Sequence, residues 1–391
     1  MAILFPFPPD WGTSYKVTNT FQTEIIEARD YTEQRRALRF YPRRSIAFSP
    51  SEHGSDARYL RQLLTQWQQS EFVFPEMTRF GTLSVAATAG DTAVTISPVP
   101  SWLIGAKTLV LGDPLTGEVI SVDSVTGGYV ALSAALVNNY AIGARIYLGL
   151  KGRIDQSLNR KALTNTAGQV DISFNADPGT FSEDGGTAAT IFNTRELLLT
   201  RPNWATQPTI THAGLLEDVD FGYGSVEHYQ PTSWNRSTLQ ATYLARSADE
   251  ADDMIQFFLR QKGQRGEFYC PTWEEDFDIS IGAGATASYL DVPGTQFASL
   301  FSDRTIYGAL VIFYKDGTYA ARTVSGLTVV SGNSRVALGS ALSQAVNSGT
   351  TKQVCWLPVV RFAVDSLVME WVTNEVAQWQ ISMVTVKAAT S

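Results

Sequence analysis

Apolar and polar residues alternate in short runs over most of the chain, and Gly, Pro, Asn or Asp interrupts the runs every ~8–12 positions. Such alternation predicts strands with one buried face. Two stretches break the rule with a helical spacing. "SDARYLRQLLTQWQQ" places Leu60, Leu64 and Trp67 on one stripe and predicts a helix over 55–69. "SADEADDMIQFFLRQKG" places Ile255, Phe258 and Leu259 on one face, with Ser247 and Glu250 at capping-box spacing, and predicts a helix over 248–262. Each runs into an aromatic strand carrying a proline: "EFVFPEM", with Phe72 and Pro75, and "EFYCPTW", with Phe268, Pro271 and Trp273.

The same order of signals therefore occurs twice. "PPDWG" precedes the first set and "RPNWA" the second, so that Trp11 answers Trp204. The tryptophans are separated by roughly 193 residues and the strand prolines by roughly 196, a spacing that points to an internal repeat. After each aromatic strand comes a Gly/Ala/Thr-rich module in which "ALSAAL" (131–136) answers "ALGSAL" (337–342). Gly117 and Gly317 stand where hairpins would turn. Beyond the modules Arg153 answers Arg361, and Ile172 answers Ile381.

The pattern predicts a mainly β chain with a tandem duplication. Each half is a β domain with one helix, interrupted by an inserted small β-barrel. The first domain takes 1–80 plus 149–175 around a barrel at 81–148. The second takes 195–278 plus 357–391 around a barrel at 279–356. The acidic, Gly-rich segment 176–194 is the linker.

Composition adds exclusions. With 44% hydrophobic and 17% charged residues the chain is not disordered as a whole. A net charge of −8 argues against broad attraction to nucleic acid. No apolar stretch reaches the ~18 residues of a membrane span, and the N-terminus lacks the positive region of a secretory signal. Cys270 and Cys355 are expected to be reduced core residues, which fits folding in the cytoplasm.

Catalytic signatures are sparse. His53, His212 and His228 have no metal-ligand spacing, so no metal or cofactor is expected. The carboxylates of "TWEEDFD" (Glu274, Glu275, Asp276 and Asp278) could serve a glycosidase, but a solvated acidic turn is the plainer reading. Trp273 beside them could stack on sugar, or anchor packing. Arg35, Arg36, Arg43 and Arg44 lie on an expected hairpin. They could bind phosphate, or pair with carboxylates across a subunit interface or on the surface; the second reading is preferred.

The order of an arginine-bearing strand, a helix and an "F-x-F-P" or "F-x-x-P" strand resembles the distal tail, or baseplate hub, proteins of tailed phages. The likeness is greatest over "RPNWA…DFGYGSVEHYQP" and "DDMIQFFLRQKGQRGEFYCPTW", where Arg265, Phe268 and Trp273 stand in the family's order. It covers both host domains but neither barrel, and the duplication departs from the family's single copy.

The resemblance implies a tube-like β-sandwich host domain and a structural, non-enzymatic ring at the virion tail tip, assembled in the host cytoplasm. Such a ring links the tail tube to the host-binding tip. Its partners would be the tail-tube protein and the hub and fibre proteins, while DNA and the tape-measure protein pass through the lumen unbound. Two domains per chain favour a trimer with pseudo-six-fold symmetry over a six-chain ring. Two other classes are open. One is a carbohydrate-binding adhesin using aromatic residues of the barrels (Trp102, Tyr129, Tyr289, Tyr307, Tyr314 and Tyr319). The other is an enzyme acting on a polysaccharide.

Overall fold

A computed structural model describes residues 3–50, 52–180, 185–188, 190–232, 234–302 and 306–387. The fold is mainly β, as the alternation predicts, with one 18-stranded sheet running through both halves. In the first half the host strands are β1 (Ile3–Leu4), β2 (Tyr15–Thr20), β3 (Arg43–Phe48), β4 (Phe72–Thr82), β5 (Arg145–Ile154), β6 (Arg160–Ala162) and β7 (Ile172–Ala176). In the second they are β8 (Arg195–Leu197), β9 (Thr209–Ala213), β10 (Arg236–Ala245), β11 (Phe268–Tyr269), β12 (Val359–Phe362), β13 (Ser366–Trp371) and β14 (Ala377–Thr385). Helix α1 (Gly54–Trp67) follows β3, and α2 (Ala248–Gln261) follows β10.

Strand order is the same in the two halves. β1 lies parallel to β4, and then β5, β7, β3 and β2 follow, each antiparallel to its neighbour. β8 lies parallel to β11, followed by β12, β14, β10 and β9 in antiparallel order. Registers agree too. Ile3 faces Phe72 where Glu196 faces Phe268. Arg153 faces Asn175 where Arg361 faces Val384. Ile172 faces Phe48 where Ile381 faces Ala241. The two proline-bearing strands differ in extent: Pro75 lies within β4 opposite Gly149, whereas β11 ends before Pro271.

The halves meet along one seam. β2 pairs antiparallel with β13 over six residues, from Tyr15 opposite Trp371 to Thr20 opposite Ser366. β2 therefore has neighbours on both edges and shows strict alternation, with Tyr15, Val17 and Asn19 buried.

The helices match their expected spans, with one change of face. The buried residues of α1 are Ala57, Leu60 and Leu63, while Leu64 is half-buried and Trp67 is 50% exposed. The cap predicted for α2 forms: Ser247 Oγ accepts from the Glu250 N–H at 3.2 Å, and the Glu250 carboxylate accepts from the Arg246 N–H at 2.8 Å. Its C-cap Lys262 is left-handed (φ 54°).

Both modules are small β structures with a common order. In the first, strand 93–95 pairs with 129–132, which pairs with 118–126, then 108–111, then β5. In the second, 289–292 pairs with 333–338, then 319–330, 309–314 and 351–356. Even the bulge recurs, between Val122 and Ser124 and between Val324 and Gly326. Gly117 and Gly317 do lie in hairpin turns, the latter with φ 88°.

The boundaries differ between the modules. The first barrel shares β4 and β5 with its host, so cuts at 80/81 and 148/149 fall inside continuous strands. The second is a separate five-stranded sheet with its own core around Trp356, Phe277 and Ile312. The linker is less extended than its composition predicts. Residues 191–192 pair with β8, and Gly185 O accepts from Arg260 Nη1 of α2 at 2.6 Å. Positions 181–184 and 189 of that segment lie outside the described residues.

Candidate assembly surfaces

The repeated pentapeptide is a turn rather than a tryptophan site. Asp10 Oδ1 accepts from the Gly12 N–H at 2.9 Å, and Asn203 Oδ1 accepts from the Ala205 N–H at 3.1 Å. Each residue also ties its own N–H to the third strand of its half, Asp10 to Ser49 O and Asn203 to Thr242 O. The shared element is the short polar side chain that closes an Asx turn. The tryptophans diverge: Trp11 packs on Tyr15 with centroids 5.4 Å apart, whereas Trp204 is 55% exposed. The other anchors are internal. Phe72, Pro75, Phe268, Pro271 and Trp273 are buried, with Trp273 stacked on Phe313 at 5.1 Å.

The four arginines separate into different roles. Arg44 is fully buried on β3: its Nη1 lies 3.0 Å from Glu76 Oε2, and its Nε donates to Asn19 Oδ1. It cannot reach a partner subunit, which corrects the expectation for it. Burial lowers its pKa to about 10, against the attraction of Glu76. Arg35 binds Glu267 and donates to Arg265 O, so it joins the first half to the second within one chain. Arg36 and Arg43 are exposed. The expected hairpin is 23–27 with 33–37, and Arg43 and Arg44 lie beyond it.

The junction between halves is rich in ion pairs that the sequence alone does not reveal. Arg79, on β4, binds Asp252 of α2, and Ser101 Oγ donates to the same carboxylate at 2.7 Å. Glu33 accepts from Arg361 Nε at 2.7 Å and also binds Arg236. These partners lie far apart in sequence and in no motif, so only the repeat register could have suggested that they meet. Burial pushes the Asp252 carboxyl up, but Arg79 and Ser101 outweigh it and hold the pKa below its ordinary 3.8.

The acidic quartet is also divided. Asp276 accepts from Thr272 Oγ1 at 2.5 Å and from the Trp356 N–H at 2.7 Å, stapling the entry to the second barrel. Burial raises its pKa despite these bonds. Asp278 accepts from the Ser280 N–H at 2.9 Å, while Glu274 and Glu275 are exposed. The barrel aromatics do not form a common face: Trp102 and Tyr314 are buried, Arg335 covers Tyr289 at 3.8 Å, and Tyr307 packs on Trp356. Tyr129 and Tyr319 are exposed, on different barrels.

Of the histidines, His53 precedes α1 without capping it, His212 contacts Ser237, and His228 contacts Asp218. Among the described residues no group of three or more His, Cys, Asp or Glu is placed to hold a metal ion. Cys270 and Cys355 are buried and free, with thiols pushed up to about 12 by burial. Among the described residues no helix is long and apolar enough to cross a membrane.

No family model matches the chain, and no curated protein matches it.

Proposed function

We propose that the chain is a structural ring-forming protein of a phage-like tail tip, linking a tail tube to a host-binding tip around a lumen. The observation that carries this reading is the seam. Two host units with one strand order stand edge to edge in a continuous sheet, joined through β2 and β13. Repeating such a junction makes a wall, and a closed wall leaves no bare edge to aggregate. The matched barrels support descent of the two halves from one duplicated subunit. Three chains then supply six near-equivalent units. The barrels project outward, the net charge of −8 disfavours gripping DNA in the lumen, and no chemistry is required of the protein.

Native mass measurement with negative-stain imaging tests the proposal. The expected result is a ring of three chains with six lobes around a hole. A six-chain ring would remove the pseudo-six-fold part of the reading. A compact monomer at all concentrations, unchanged by tail-tube protein, would remove the whole.

A further inference from the structure

The strand order repeats, but the neighbours do not. β2 is covered on both edges, whereas among the described residues its counterpart β9 pairs only with β10. The burial pattern shows the difference: β2 alternates buried and half-buried, while four of the five β9 residues are exposed. In the same way β13 pairs with β2 and β14, but among the described residues its counterpart β6 pairs only with strand 167–170. The match of β6 to β13 is set by register: Arg160 faces Val170 and Ala162 faces Gly168, as Met369 faces Trp379 and Trp371 faces Ala377. Among the described residues β9 and β6 are therefore each open on one edge. Each is the equivalent of one side of its own internal seam.

We infer that β9 of one copy pairs antiparallel with the β6 edge of the next copy, in the register that β2 and β13 use within one chain. Residue by residue, Val17 opposite Met369 becomes Ile210 opposite Arg160. Thr18 opposite Val368 becomes Thr211 opposite Asn159.

The helices beside the seam support the same contact. Aligned on their buried residues, Ala57 and Leu60 of α1 match Ala251 and Met254 of α2, so Arg58 matches Asp252. Arg79 lies as far past Phe72 as Glu275 lies past Phe268. The in-chain ion pair Arg79–Asp252 therefore has Glu275–Arg58 as its equivalent between copies, with the charges exchanged. Both Arg58 and Glu275 are exposed in the single chain.

The clefts agree. Between α2 and β13 a cleft of 360 Å³ is lined by Asp252, Ile255 and Trp371 together with Arg79 and Trp102 of the first half. The equivalent cleft beside α1, of 390 Å³, is lined by Ala57, Arg58, Arg61, Arg160 and Thr164 and by no residue of the second half. Its basic wall complements Glu274 and Glu275. The occupant is thus a second copy, bound head to tail. The inference deepens the ring reading and rests on it only for closure of the assembly.

Engineered disulfides test it. Thr211→Cys and Asn159→Cys placed in one chain should give covalent multimers under mild oxidation, and either alone should not. Thr18→Cys with Val368→Cys is the in-chain control for the geometry, and circular dichroism checks folding. Glu275→Arg in the crosslinking background should lower the crosslinked fraction roughly tenfold, because like charges would face each other, and adding Arg58→Glu should restore it. Oligomers seen by native mass without the 159–211 crosslink would overturn the edge pairing and leave the ring reading standing. Crosslinking of either single-cysteine variant to itself would overturn the head-to-tail contact. A monomer at the highest concentration would overturn both.

Discussion

Arg44 and Glu76 form a buried ion pair, so their value lies in the pairing. Glu76→Ala takes the carboxylate away from a buried guanidinium and is expected to cost about 3–5 kcal/mol in urea denaturation. The Asp252–Arg79 contact has a pH signature instead. The folded-state pKa of Asp252 lies below the ordinary 3.8, so its stabilisation is complete above that value and is lost as pH falls through the lowered pKa. Asp252→Asn should therefore lower stability at neutral pH and flatten the acid limb of the stability profile. A mutant whose acid limb keeps the wild-type slope would show that the carboxylate is not the titrating group. At this scale the sequence was only partly legible. Phe5, Phe48, Phe74 and Phe174 fill the first core from the strands, where the matched positions carry Leu198, Ala241, Cys270 and Met383. The second half places its rings instead on its helix and β12, at Phe257, Phe258 and Phe362, where the first has Leu63, Leu64 and Ile154. The aromatic rings thus sit at different positions in the two halves, so a position-by-position reading of the sequence does not show which residues share a core.

Helix ends and module boundaries differ in how plainly the sequence states them. Ser247 reads as a cap because the hydroxyl and Glu250 are local, and the structure places both as expected. Ser247→Ala should cost about 1 kcal/mol, while His53→Ser, at an end with no side-chain cap, should gain a similar amount. Thermal melts of the two variants should move in opposite directions. The barrels show the limit of local reading. Both announce themselves by alternation and turns, yet whether a module shares strands with its host depends on long-range pairing. Replacing residues 279–356 by a short linker should leave the host sheet folded, since that barrel has its own core. Removing 81–148 should unfold the first half, because it cuts β4 and β5 short, takes away their pairs from Arg145 to Leu148, and removes barrel residues that belong to the common core. Hydrogen exchange on the two deletions separates these outcomes. Equal protection in both would contradict the shared-strand assignment.

For the molecule as a whole, the mainly β class was legible from the alternation, but the seam was not. β13 lies in a segment whose alternation marks a strand without naming its partner, and a partner near the other end of the chain leaves no local trace. That distance has a consequence during synthesis. Tyr15 leaves the ribosome early and pairs with Trp371. At about 5–20 residues per second the wait is on the order of 20–70 s. Throughout that interval the first half holds β2 as a bare, apolar-patterned edge, open to the same edge on a neighbouring nascent chain. Any message truncated before β13 makes that exposure permanent. Premature termination should therefore yield insoluble protein even when the entire first half has been translated.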